Sequence, residues 1–190
     1  MILDLAMQNN MKRKEFLKLT LFANLGLMVT PVDGFSGYFA KYSSPHSNDN
    51  VTYFKKGDAD YEILRKGFNK RIEKFPLIIA LCKNATGVTE AINYARQNNL
   101  PVAVKSGGHC MEGFSCNDGG MVINLSALNT IEWIDKNNIK LGPGCTLSNI
   151  YDAILPKGKI LPGGSCAGVG IGGLTLGGGY GLLGRKLGLT

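Results

Sequence analysis

FPLIIALCKNATGVTEAINYARQNNLPVAVKSGGH, residues 75–109, carries the signal that decides the fold. Leu77 to Leu81 is an unbroken apolar run, the pattern of a strand buried on both faces. Thr86 stands where it can cap a helix in which Val88, Ala91, Ile92 and Ala95 recur at i, i+3, i+4 and i+7, and Asn98-Asn99 can end that helix. Val102 to Val104 then returns as a second strand. Strand, helix and strand in so short a span predict a βαβ crossover, whose strands lie parallel in one sheet. The stretch closes on Gly107-Gly108-His109, at the carboxyl end of the second strand, where parallel sheets place ligands.

The rest of the chain is read outward from that unit. Its 190 residues suffice for one ordinary domain, and 44% hydrophobic with 18% charged residues is a globular composition. A formal net charge of +7 would suit an anionic partner. The lysines and arginines run from Lys12 to Lys186 without an aromatic-interleaved stripe, however, so they read as solvated surface and no nucleic-acid partner is expected.

MKRKEFLKLTLFANLGLMVTP, residues 11–31, has export-signal architecture: a basic stretch, an apolar run from Leu19 to Val29 too short to span a bilayer, then Pro31. Within it, Arg13-Lys14-Glu15-Phe16-Leu17-Lys18 is similar to a twin-arginine signal with lysine at the second position. The alternative is an amphipathic first helix. Residues 1–30 are thus expected to be an export signal to the periplasm or exterior, with no stable membrane anchor. Five cysteines, Cys82, Cys110, Cys116, Cys145 and Cys166, leave at least one outside any intramolecular disulfide. None forms a CxxC pair, and with two histidines no metal site is expected.

Residues 31–60, rich in Ser, Asn, Asp and Gly, read as a linker or irregular lead-in, which places the folded part at 61–190. After the crossover, Met121 to Leu125, Thr130 to Ile134 and Ile139 to Leu141 are three short strands of a mainly antiparallel meander. Residues 145–159 read as a capped helix with Leu147, Ile150, Tyr151 and Ile154 on one face. The fold class expected is α+β: a small parallel βαβ unit followed by a mixed, mostly antiparallel sheet.

Two stretches can carry chemistry. Successive backbone N–H groups of a glycine turn can converge on an anion, so Ser106, Gly107 and Gly108 can cradle a phosphate, with Lys105 adding charge. By itself such a turn most often binds nothing. The second stretch follows Leu161 and holds 12 of the chain's 26 glycines between Gly163 and Gly188. Its Gly168-x-Gly170-x-x-Gly173 has the dinucleotide-binding spacing, but Pro162-Gly163-Gly164 precedes it in place of a buried strand, and Gly177-Gly178-Gly179 would break the helix that should follow. What remains is a surface on which main chain can approach a flat or phosphorylated ligand, with the soft nucleophile Cys166 at its start. The plainer alternative is a structural glycine loop with an inert cysteine.

Taken together, VAVKSGGHCMEGFS, GGMVINLSALNTIEW and PGGSCAGVGIGGLTLGGGYGLLGRKLGLT resemble the FAD-binding PCMH-type domain of the berberine bridge enzyme-like oxidases, in the vanillyl-alcohol oxidase superfamily. The resemblance covers about Phe75 to Thr190. It implies an FAD-linked oxidase with a flavin bound covalently by His109, at the 8α-methyl carbon, and by Cys166 at C6. It also implies that Lys105, Ser106, Gly107, Gly108, Cys110, Ser115, Gly170, Ile171, Gly172, Gly173, Leu174 and Tyr180 line the FAD. Val169 matches the position that admits oxygen to the reduced flavin. A small-molecule substrate of alcohol or sugar type and oxygen are the implied partners. Two residues depart from the commoner pattern: Lys105 stands for arginine, without its bidentate fork, and Leu174 points to bacterial members, which often lack the cysteine. The family continues well past the RKLGLT match, into a substrate domain that carries the base. Residues 1–190 are therefore expected to hold the flavin-attachment part and to turn over poorly alone; the alternatives are a non-catalytic flavin- or nucleotide-binding fragment and a degenerate remnant.

Overall fold

The computed structural model describes residues 45–190. The export-signal expectation for residues 1–30 lies outside them, as do residues 31–44 of the lead-in.

The apolar run of the crossover forms Ile78–Cys82 (β2), following Val51–Phe54 (β1) and the short helix Tyr61–Arg65 (α1). Helix Ala85–Gln97 (α2) leads from β2 to Val102–Lys105 (β3), and Met121–Asn124 (β4) completes one four-stranded sheet in the order β1-β2-β4-β3. Strands β2 and β3 lie parallel in one sheet, as the crossover predicts, but each pairs with β4, not with the other.

Three expectations are corrected here. The lead-in does not extend to residue 60, because β1 pairs antiparallel with β2 and Val51 is fully buried. Met121 to Leu125 does not open a meander. All four residues of β4 are buried, and a strand with apolar groups on both faces needs the centre of a sheet, with parallel neighbours on each side. The helix, finally, is capped by Asn84, whose side chain accepts from the Gly87 amide at 2.9 Å, and Thr86 lies inside it. Its buried face is Gly87, Ala91 and Ala95, while Ile92 is largely exposed. Small residues face inward because α2 lies almost on the backbone of Asn50, where a methyl on Gly87 would fall on the carbonyl oxygen. The helix ends as expected at Asn98, and Asn99 takes the left-handed conformation at φ 51°.

Of the expected meander, an antiparallel hairpin forms, Ile131–Trp133 (β5) with Ile139–Leu141 (β6). It packs on Leu147–Ile154 (α3), where Thr146 and Asn149 form a reciprocal cap and Leu147, Ile150 and Ile154 are buried. Among the described residues the apolar interior is therefore double. One cluster joins Tyr61, Ile79, Ala103, Cys116 and Val122 over the sheet, and the other joins Cys145, Leu147, Ile150, Ile154 and Ile171 under the hairpin. Two further short helices, Ile171–Gly177 (α4) and Gly184–Leu187 (α5), lie in the glycine-rich end. Among the described residues no helix is long and apolar enough to cross a membrane.

Gly87→Ala tests the close approach of α2. Overpacking against main chain costs about 1–3 kcal/mol, against roughly 1 kcal/mol that alanine adds as a helix former. A lowered urea midpoint with unchanged slope is expected, and an unchanged or raised midpoint would refute the contact.

Candidate functional site

Strand alternation sorts the residues at the end of β3. Val104 is more than half exposed on one face, and Lys105 is buried on the other. The Lys105 ammonium donates to the carbonyl oxygens of Leu64 and Lys66, both at 2.6 Å, which closes the end of α1 with a cation. Burial pushes its pKa below the usual lysine value. Lys105 does not reach the cleft described below, so the expectation that it adds charge to a bound anion is corrected: the buried-strand register turns it inward.

The loop after β3 is backed by residues 66–75. The Phe68 amide donates to the Gly108 carbonyl at 2.9 Å, the Asn69 side-chain amide to Met111 O at 2.8 Å and the Lys74 ammonium to Gly113 O at 2.8 Å. Gly108 takes φ 70°, a turn that glycine makes without strain. The next residue, His109, stacks on the Phe68 ring with centroids 4.5 Å apart and planes within 19°. Desolvation lowers the His109 pKa, which favours the neutral imidazole.

The glycine-rich end closes on this loop main chain to main chain. A methyl on Gly107 would fall on the Gly170 amide, and one on Gly170 would strike the Gly107 amide and the Ser106 hydroxyl. Ser106 Oγ donates to Pro143 O at 2.5 Å, while the Val169 carbonyl and the Ile171 amide bond to Leu147 N and Cys145 O at 2.9 and 2.8 Å. A methyl on Gly168 would lie 3.0 Å from His109 Nε2. The two motifs, some 60 positions apart in sequence, therefore meet at one place.

Between them runs a cleft of about 490 Å³. Its wall takes Ser106, Gly107, Gly108, His109, Cys110 and Ser115 from the first motif, and Val169, Gly170, Gly173 and Leu174 from the second. Five expected residues are not on that wall. Lys105 faces the core, Ile171 is buried with Leu147, Gly172 abuts Pro143, and Cys166 and Tyr180 are exposed. Val104 and Phe114 line the cleft and were not singled out from sequence, nor was Phe68 behind His109. The inward–outward alternation of β3 would have marked Val104. Nothing local marks Phe114 or Phe68.

Among the described residues, no Asp, Glu, Lys or Arg side chain lines the cleft. Among the described residues, the amides of Gly107, Gly108, His109 and Cys110 donate to no protein acceptor. A glycine cradle, open N–H groups, an unrepelled anion and an apolar side formed by Val104, Phe114, Val169 and Leu174 suit a ligand that joins phosphates to a flat ring.

Comparison with known proteins agrees. The FAD binding domain family matches residues 76–190. An uncharacterized FAD-linked oxidoreductase of Bacillus subtilis, YgaK, is 39% identical over 136 residues, covering 71% of this chain and 30% of that protein. The crystal structure of 6-hydroxy-D-nicotine oxidase from Arthrobacter nicotinovorans matches with a TM-score of 0.73 at 31% identity, over 78% of this chain and 33% of that one. The berberine bridge enzyme-like protein 1 of Physcomitrella patens matches with a TM-score of 0.69 at 28% identity, over 81% of this chain and 33% of that one. The chain thus spans about a third of the length of these relatives.

Gly107→Ala should open the contact between the motifs. Faster amide hydrogen exchange is expected at both residues 106–115 and residues 168–174. Acceleration confined to the first stretch would mean that the motifs do not depend on each other.

Proposed function

The chain belongs to the FAD-linked oxidoreductases of the berberine bridge enzyme-like and vanillyl-alcohol oxidase family, and from that premise we propose that its cleft binds FAD, attached through His109, in an oxidase of small alcohols or sugars that uses oxygen as acceptor. The observation that carries this reading is the meeting of the Gly107-Gly108-His109 turn with Gly168–Gly170 at one cleft. The open amides of residues 107–110 hold the diphosphate, and the apolar side of the cleft takes the ring. When bound, FAD supplies a two-electron acceptor that oxygen restores.

His109 acts as nucleophile in its neutral form, which its lowered pKa favours. With FAD bound, His109 would exchange its ring N–H for a bond to the flavin 8α-methyl carbon, which gives up one hydrogen, and one dioxygen would take the two electrons and two protons released, as hydrogen peroxide. Cys166 enters this reading only as a second attachment point. Its turn reaches His109 through Gly168, while its thiol is exposed and off the cleft wall. Val169, on the wall, is the residue past which oxygen would reach the ring. The base that assists hydride loss is not assigned to a residue of this chain, and export is part of the proposal. Alone, residues 1–190 would hold flavin with one face uncovered and turn over poorly.

Acid precipitation of the protein made with FAD tests the attachment. Flavin fluorescence should stay with the pellet, and His109→Ala should release most of it to the supernatant. Attachment should slow as pH falls through the imidazole pKa, below the usual histidine value, because protonation removes the nucleophilic lone pair. Fully soluble flavin from the unsubstituted chain would sink the covalent reading.

A further inference from the structure

The imidazole of His109 makes no hydrogen bond to protein through either nitrogen, among the described residues, and the one aromatic ring against it is Phe68. An attacking nitrogen must be both unmasked and aimed. A hydrogen bond to a carboxylate or carbonyl would aim the ring but occupy a nitrogen, whereas a flat ring against its face aims it and occupies neither.

Phe68 is half exposed, which buries little of its own area, yet its backbone is fastened on both sides. Its amide is bonded to Gly108 O, one residue before His109. The preceding Gly67 lies so close to Gly108 that a methyl there would meet the same oxygen at 3.0 Å. Lys66 and Leu64 are held from below by the Lys105 ammonium. Position 68 is therefore fixed relative to position 109 by main-chain contacts, and from it the phenyl ring lies flat against the imidazole.

We propose that Phe68 is a positioning residue, whose ring fixes the plane of the His109 imidazole while leaving both nitrogens free for attachment. The proposal rests on the reading of His109 as the attachment residue. Lys105 serves the same end indirectly, by holding the strap on which Phe68 sits.

The 190-residue chain has two histidines, His46 and His109, so its imidazole NMR signals are few and the loss of one set in His109→Ala assigns them. A nuclear Overhauser contact between the Phe68 and His109 rings is expected in the unsubstituted chain without FAD. Phe68→Leu should move the His109 ring signals downfield as the ring current is lost, leave those of His46 in place, and slow covalent flavin incorporation about three- to tenfold, the range one aromatic pair contributes. Phe68→Tyr should restore both. Circular dichroism separates this from unfolding, and if Phe68→Leu unfolds, the Overhauser contact and Phe68→Tyr still decide the matter. Absent ring contact, or His109 signals and incorporation rate both unmoved in Phe68→Leu, would overturn the proposal. Flavin that stays soluble in the unsubstituted chain while the ring contact is present would instead overturn the attachment reading and, with it, the role of Phe68 in attachment.

Discussion

The approach of Gly107 to Gly170 is the constraint on which the site depends. Two main chains can come this close only if neither carries a Cβ, and here each glycine occupies the space a methyl on the other would need. The contact joins the loop after the parallel strand β3 to the segment that enters α4. It therefore ties the apolar cluster over the sheet to the one under the hairpin, since Ala103 belongs to the first and Ile171 to the second. Side chains pack each half, but backbone joins them at the cleft.

Such a joint explains why the chemistry-bearing side chains are few. Along the cleft the polymer offers amides, one imidazole, one thiol and small hydroxyls. Cationic groups nearby serve the scaffold: Lys105 closes α1, Lys74 holds Gly113 O and Cys116 O, and Arg65 pairs with Glu62 at 2.7 Å while covering Phe75. A net charge of +7 thus says little about the site, because the lysine nearest to it in sequence is buried and bonded to the Leu64 and Lys66 carbonyls.

The crossover was legible because its signals are local: a buried apolar run, a capped helix and a glycine turn each declare themselves within a few residues. The position of β4 was not. Its sequence reads equally as the first strand of a meander, and only its burial on both faces places it between β2 and β3. The same limit applied at the site. Ten of the expected residues stand on the cleft wall, because glycine motifs report where backbone must pass closely. Lys105 was misread because a residue at the end of a strand can face either side, and one step in register decides it. Phe68 was invisible because its partner lies across a turn, with no spacing to announce it.

Among the described residues no cationic side chain lines the cleft, which gives the proposed covalent bond a physical role. In the proposed reading a diphosphate is held by main-chain N–H groups, each worth about 1 kcal/mol net, without the ion pairing that an arginine fork would add. Within residues 45–190 the cleft wall adds no charged side chain to that grip. The proposed attachment through His109 would make retention independent of those contacts, and it would ask of the protein only that one neutral imidazole be aimed. The lowered pKa and the stacked phenyl supply those two conditions separately, the first by removing water and the second by fixing a plane. Neither requires a charged partner, so a site built almost wholly of backbone can still direct one side chain to one carbon.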